Sequence, residues 1–268
     1  MGIVNVTPDS FWDGGRYFDT AAAVAHGVQL AEEGADFIDV GGESTRPHAQ
    51  PVPEEEELRR VLPVLERLQS RVSVPISIDT RKPRVAKAAL ELGVSLVNDI
   101  GASEQTSDMW RLVAESGAAY VCMHMQGTPE TMQSHPVYAD VVEEIQRFFS
   151  LRLQQLRDCG IGPDQIILDP GIGFGKSLEH NLELLGGLRR FTCLERPLLL
   201  GVSRKSFMGK LLGTEAQARL PAALACACIA RADGVQMIRT HDVAETVQAL
   251  RMAEAILARQ RYDVGNDK

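Results

Sequence analysis

Asn5 to Gly15 read NVTPDSFWDGG, a connection that packs Asn, Thr, Pro, two Asp, Ser and two Gly behind a short apolar run at Gly2–Val6. Such a segment cannot form a core element. Gly14 and Gly15 give its backbone freedom, and its polar side chains can meet a charged ligand. Further along, polar residues recur where apolar runs stop: Gly41–Pro47, Asp79, Asn98–Asp99, Met123–His124, Asp169, Ser203–Lys205 and Arg239–His241. Asp79, Asn98 and Asp169 are acceptors, Asn98 a donor as well, and such a set can read a flat heterocycle with adjacent N–H and amino groups. Lys205 offers a point charge or a donor to a ring carbonyl. Arg239, His241 and Asn5 are donors suited to phosphate oxygens. Taken singly, Asp79 could cap a helix and His241 could start one. The whole set argues for a site.

These residues sit at the ends of elements that repeat. β-Branched runs lie at Gly2–Val6, Phe37–Gly41, Pro75–Asp79, Ser95–Ile100, Ala119–His124, Ile166–Asp169, Pro197–Val202 and Val235–Thr240. Helical patterns separate them at Thr20–Glu33, Glu54–Ser70, Lys82–Leu92, Ser107–Ser116, Tyr138–Cys159, Leu178–Arg190, Arg219–Ala232 and Val243–Arg259. Strands alternating with helices mean parallel strands joined by crossovers. Eight such units in 268 residues favour a (β/α)₈ TIM barrel, whose strand C-terminal ends converge on one mouth. An open Rossmann-like sheet shares the alternation, and periodicity alone does not separate the two. In PISIDT, Ile76 and Ile78 face one side and Ser77 and Asp79 the other, while Arg239 and His241 share a face. Residues 1–268 read as a single domain with a flexible tail after about residue 259. The first strand begins at Met1, so the segment before the first strand of such a barrel is expected to be absent, leaving the barrel floor without a plug.

A net charge of −8 argues against nucleic acid or an anionic membrane as partner. No apolar run is long enough to span a bilayer, and no signal peptide is visible. The five cysteines lack metal-ligand spacing and read as reduced, packed side chains of a cytoplasmic protein. Cys226 and Cys228 should point to different sides of one helix. Pro170–Ser177, PGIGFGKS, comes close to a phosphate-binding loop. Pro170 replaces its first glycine and the segment follows the sixth strand, so the reading is rejected and Lys176 is expected to be a solvated loop lysine. Glu54–Glu57 suits a helix start. His26, His48, His135 and His180 are expected at the surface, and His124 as a packed polar residue.

In order along the chain, NVTPDSFWDGG, DVGGESTRP, SIDTRKP, VNDI, MHMQG, LDPGIGFGK, SRKSFMG and IRTHDV resemble the dihydropteroate synthase family. The resemblance runs from the first strand to the last helix. It implies a pterin-binding TIM barrel that joins 6-hydroxymethyl-7,8-dihydropterin pyrophosphate to para-aminobenzoate, a transferase of folate biosynthesis and a sulfonamide target. It implies Asp79, Asn98, Asp169 and Lys205 as the pterin set, with Met123 and Phe174 as pocket walls. Asn5 would contact Mg²⁺, with Arg239 and His241 anchoring pyrophosphate. Thr45, Arg46 and Pro47, with Phe174, Ser203 and Ser206, would hold para-aminobenzoate, and Asp13 of the first loop would stabilise a pterin cation. The first loop (Thr7–Tyr17) and the second (Ser44–Pro53) would be mobile without ligand, and the chain a homodimer. Ile172 and Trp12 depart from the family pattern. Two other readings share parts of this set: a methyltetrahydrofolate-dependent corrinoid methyltransferase, and a pterin-binding paralogue without activity.

Overall fold

A computed structural model describes residues 1–7, 20–44, 50–101, 107–128 and 131–263, with side chains to residue 259. Trp12, Asp13, Thr45, Arg46, Pro47 and His48 lie outside the described residues.

Among the described residues the strands are β1 (Gly2–Asn5), β2 (Ile38–Gly41), β3 (Ile76–Asp79), β4 (Leu96–Asp99), β5 (Ala119–Met123), β6 (Ile166–Asp169), β7 (Leu199–Gly201) and β8 (Met237–Arg239). They pair in parallel from β1 through β6, and β7 pairs with β8. Two single bridges join these sheets. Leu168 meets Leu198 just before β7, and Gly2 meets Thr240 just after β8. Leu168 N donates to Pro197 O at 2.9 Å and Ile3 N to Thr240 O at 3.1 Å. The ring is therefore closed, which decides for a barrel and against an open sheet.

Outside run α1 (Thr20–Glu32), α2 (Glu54–Gln69), α3 (Pro83–Glu91), α4 (Ser107–Ser116), α5 (Val141–Asp158), α6 (Leu178–Gly186), α7 (Ser206–Leu212), α8 (Leu220–Ala232) and α9 (Val243–Asp263). All but α7 match the helical patterns in the sequence. Helix α7 has only seven residues, too few to show a periodicity. Local chemistry sets the ends: Pro83 opens α3, and Asp140 caps α5 by accepting from Glu143 N at 2.8 Å. At its far end α9 runs four residues past Arg259, so the flexible tail expected after residue 259 is helical as far as Asp263. No helix of the described residues is long and apolar enough to cross a membrane.

Period-two alternation sorts the strands. Ile38, Val40, Ile76, Ile78, Val97, Tyr120, Leu168 and Leu200 belong to the large core between strands and helices. Met1, Leu96, Val121, Ile167 and Leu199 form a separate cluster with half-buried Phe37, Ala119 and Met237. Strand parity places this second cluster inside the barrel, below the mouth. The barrel floor is filled by its own side chains, and the sequence expectation of an unplugged floor is corrected. The cysteines divide too: Cys122 is buried, whereas Cys159 and Cys193 are exposed rather than packed. Cys226 packs against the core while the Cys228 thiol reaches Ala249 O at 3.7 Å.

Asp99 belongs to the outer layer. Its Oδ2 accepts from Tyr120 Oη at 2.7 Å, and that hydroxyl accepts from Trp110 Nε1 at 3.0 Å. All three residues are buried. Tyr120→Phe would remove the hydroxyl that bridges the Asp99 carboxylate and the Trp110 indole N–H, at about 1–3 kcal/mol. The urea midpoint should fall with unchanged m, while turnover stays normal because Asp99 faces away from the mouth.

Candidate functional site

Register decides which side chains meet at the mouth. Asn5 aligns with Gly41, Gly41 with Asp79, Asp79 with Asn98, Met123 with Asp169 and Gly201 with Arg239. Paired residues of a parallel sheet share a face, so these last inward positions form one ring. One layer deeper lie Asp39 and Ser77, paired across β2 and β3. Asp39 is absent from the candidates read from the sequence. Counting back two residues from Gly41 along DVG finds it.

Arg239 crosses the interior from β8. Its Nε donates to Asp39 Oδ2 at 2.6 Å and its Nη2 to Asp79 Oδ2 at 2.7 Å. Asn98 Nδ2 donates to the same Asp39 oxygen at 2.9 Å. Asp39 Oδ1, Asp79 Oδ1 and Ser77 Oγ are buried with no hydrogen-bond partner among the described residues. Each such acceptor costs about 1–3 kcal/mol unless something donates to it. Burial raises the Asp79 carboxyl to about 7; Arg239 opposes that rise and Asp39 adds to it. Asp169 is raised as well, by burial, against the hydrogen bond from Gly171 N at 2.8 Å. Burial works against the Arg239 charge, but Asp39 and Asp79 outweigh it and raise its pKa.

A second group sits where β7 and β8 meet β1. Ser203 Oγ lies 2.9 Å from His241 Nδ1, and Asn5 Nδ2 lies 3.4 Å from His241 Nε2. Arg204, at φ 59, turns outward to Asp242 at 2.7 Å. That left-handed residue lets Ser203 and Lys205 on either side point inward, a strain of the kind kept at functional turns. Lys205 stands at the residue before α7, and its Nζ lies 4.0 Å from the centre of the Phe174 ring. Burial lowers the Lys205 ammonium to about 8, with Asp169 pulling the other way. Ser206, at the start of α7, is exposed.

The connection after β6 explains why PGIGFGKS is not a phosphate loop. Gly171, Gly173 and Gly175 have φ of 68°, 83° and 63°. A Cβ on Gly171 would stand 1.9 Å from His124 O, and one on Gly175 2.3 Å from Gln126 O. The segment folds back against the end of β5 and carries Phe174 into an apolar cluster with Ile100, Met123, Met125 and Met132. Lys176 is drawn under it. The expectation of a solvated lysine is overturned: only 2% of the residue is exposed. Its Nζ donates to Phe174 O at 2.9 Å and lies 3.1 Å from His124 Nδ1. Burial lowers this amine to about 7. His124 is packed as the sequence suggests, edge-on to Phe148 with ring centres 4.8 Å apart, and burial holds its pKa well below the usual range. His135 is exposed, while His26 and His180 are half-buried; His180 closes a capping box with Ser177.

Asn5, Asp79, Asn98, Met123, Asp169, Phe174, Ser203, Lys205, Arg239 and His241 are thus gathered at one end of the barrel. Among the described residues no group of three or more His, Cys, Asp or Glu side chains could hold a metal ion. A hard-cation donor beside the His241 group is the Asn5 amide oxygen, on the other side of the amide from the nitrogen that lies 3.4 Å from His241 Nε2. Mg²⁺ keeps waters and substrate phosphates and needs only one or two protein oxygens, so this position fits a metal carried in on a phosphate.

The sequence pattern described as "Pterin binding enzyme" matches residues 1–241. The chain is 46% identical over 266 residues to the dihydropteroate synthase of Escherichia coli (strain K12), covering 98% of this chain and 94% of that protein. The Yersinia pestis dihydropteroate synthase, solved as a sulfonamide drug complex, superposes with a TM-score of 0.91 at 44% identity, covering 96% and 93% of the two chains. The Xanthomonas albilineans dihydropteroate synthase in complex with 7,8-dihydropteroate gives 0.87 at 44% identity, covering 96% and 92%.

Removing the Arg239 cation strands two buried carboxylates. Arg239→Met should therefore cost about 3–5 kcal/mol in a urea melt at neutral pH. A loss below about 1 kcal/mol, the range of an exposed pair, would deny the cluster its structural weight.

Proposed function

The chain belongs to the dihydropteroate synthase family, and on that premise we propose that it joins 6-hydroxymethyl-7,8-dihydropterin pyrophosphate to para-aminobenzoate, giving 7,8-dihydropteroate and pyrophosphate. The observation that carries this reading is the gathering of Asp79, Asn98, Asp169 and Lys205 at one mouth, with Asn5 and His241 on its other side.

Asp169 and Asn98 read the amino and N–H edge of the pterin, and Lys205 donates to its ring carbonyl. Phe174 and Met123 form the apolar walls against the ring. Asp79 adds an acceptor through the oxygen that Arg239 leaves open. The pyrophosphate lies toward Asn5 and His241, where Arg239 can add charge through Nη1. Asn5 would hold Mg²⁺ through its amide oxygen, and the metal would supply charge neutralisation for the leaving pyrophosphate. Departure leaves a methylene cation on the electron-rich pterin, which the carboxylates of the mouth, and Asp13 from the first loop, stabilise. The arylamine is neutral at pH 7 and attacks without a strong base. Its carboxylate meets backbone N–H groups at the start of α7 near Ser206, beside Ser203, with Thr45, Arg46 and Pro47 on the second loop.

A single domain of residues 1–268 is supported by a site that draws on strands from both ends of the chain. A homodimer is supported by Ile229, Met252 and Ile256, 59%, 63% and 50% exposed on the adjacent helices α8 and α9. A monomer in sedimentation at micromolar concentration would remove that proposal. Cytoplasmic residence agrees with substrates of intermediary metabolism, and fractionation of source cells tests it.

Pyrophosphate release decides the function. It should require both substrates, and inhibition by a sulfonamide should be relieved by added para-aminobenzoate. Turnover without the arylamine, or none with both substrates present, would contradict the synthase reading. A corrinoid methyltransferase would release no pyrophosphate at all.

A further inference from the structure

Three acceptors converge on one ammonium beside β3. Lys82 follows Asp79 by three residues, and its Nζ donates to Glu43 Oε2 at 2.5 Å, Glu57 Oε2 at 2.5 Å and Val52 O at 2.7 Å. Glu43 lies two residues beyond β2, Glu57 is in the first turn of α2, and Val52 precedes that helix. An ammonium has three donors, and all three are used. The same connection is gripped once more by Arg60, whose Nη1 donates to Gly42 O at 2.9 Å.

Glu57 is fully buried, which its place in a solvated helix start does not explain. Its Oε2 is bound by Lys82, but its Oε1 has no partner among the described residues. Asp79 Oδ1 is in the same condition. Both carboxylates line one small cavity together with Glu43, Ser44, Thr80, Arg81 and Ile100. Three carboxylates thus share this wall with the Arg81 guanidinium, where repulsion is poorly screened. Asp79 belongs to the mouth; Glu43 and fully buried Glu57 are answered by Lys82.

We propose that Lys82 is a positioning residue for the reaction: by binding Glu57 it shields Asp79 from a second buried anion, so that Asp79 remains an anionic acceptor at the mouth. This rests on the synthase reading, in which Asp79 meets the pterin. The charged groups that act on Asp79 are Arg239 from β8, Asp39 from β2, Glu57 from α2 and Lys205 before α7, with Asp99 acting from the outward face of β4. Glu57 faces Lys82, which also holds Glu43, and Glu43 lies 3.6 Å from Arg81. Burial is the main cause that lifts Asp79 to about 7, and Glu57 is among the groups that add to it.

Asp79 acts ionised, so kcat/KM for the pterin pyrophosphate rises with pH through its pKa. Lys82→Met leaves Glu57 uncompensated, raises Asp79 further and moves the acid limb to higher pH. Glu57→Gln removes the repulsion and moves the limb to lower pH. The double variant returns it toward the wild type. A shift of about one pH unit, equal to about tenfold in kcat/KM on the acid side, is the expected size for Lys82→Met. Damage to the fold would lower activity in each variant without moving the limbs in opposite directions. Glu57→Gln keeps every cation, so it carries the test if Lys82→Met does not fold.

The experiment is the pH profile of kcat/KM for the full chain and the three variants, from pH 5 to 9, with para-aminobenzoate saturating. Opposite displacement of the two single variants, with recovery in the double, is expected. An acid limb that stays in place in Lys82→Met or Glu57→Gln, or a double variant no closer to the wild type than Lys82→Met, would overturn the proposal. If the wild-type chain makes no dihydropteroate, it is the synthase reading that fails instead.

Discussion

A guanidinium inside a barrel must find anions there, and Arg239 finds two. By spanning from β8 to Asp39 on β2 and Asp79 on β3 it ties the last strand to the second and third across the interior. Asn98 joins from β4 through the same Asp39 oxygen. Four strands are thus fixed to one another by a single charged cluster. Burying these charges is costly, and the pairing offsets that cost only while it is complete. Among the described residues the cluster leaves two acceptors over, Asp39 Oδ1 and Asp79 Oδ1, and so it is unfinished. An interior built for stability alone would have used apolar side chains at these positions, as the barrel does one layer lower at Leu96, Val121, Ile167 and Leu199.

The other half of the mouth is organised by backbone. Three glycines of left-handed conformation fold the β6 connection onto the end of β5, where a Cβ on Gly171 or Gly175 would strike the His124 or Gln126 carbonyl. This places the Phe174 ring against Lys205 and seals Lys176 beneath it. Arg204 makes the matching turn after β7, so that Ser203 reaches His241 while Lys205 faces Phe174. Charge and ring are held close by turns that few residue types tolerate.

Much of this architecture is legible in the amino-acid sequence. Period-two alternation separates inward from outward residues, and the polar strand ends announce the mouth. Asp39 escapes a reading confined to the last residues of each strand, although the same alternation reaches it two positions before Gly41. Lys176 defies its surroundings in the sequence because a glycine-rich connection usually runs over the surface; the sign of three φ angles, which glycine leaves open, decides otherwise. Glu57 looks like the last of four helix-start acids, and only tertiary contact with Lys82 distinguishes it from Glu54 and Glu55, which meet exposed Arg84. Short α7 offers no period to read, though SRKSFMG marks its start.

In the proposed reading the acceptors left open around Arg239 are completed when the pterin binds, and on that completion the account rests. A crystal structure with 6-hydroxymethyl-7,8-dihydropterin pyrophosphate bound tests it most directly. The account predicts the ring edge at about 3 Å from Asp169 and Asn98, a donor of the ligand or of an ordered water on Asp79 Oδ1, and the pyrophosphate beside Asn5 and His241. A ligand seated away from these side chains, with both Asp39 Oδ1 and Asp79 Oδ1 still unpartnered, would contradict it.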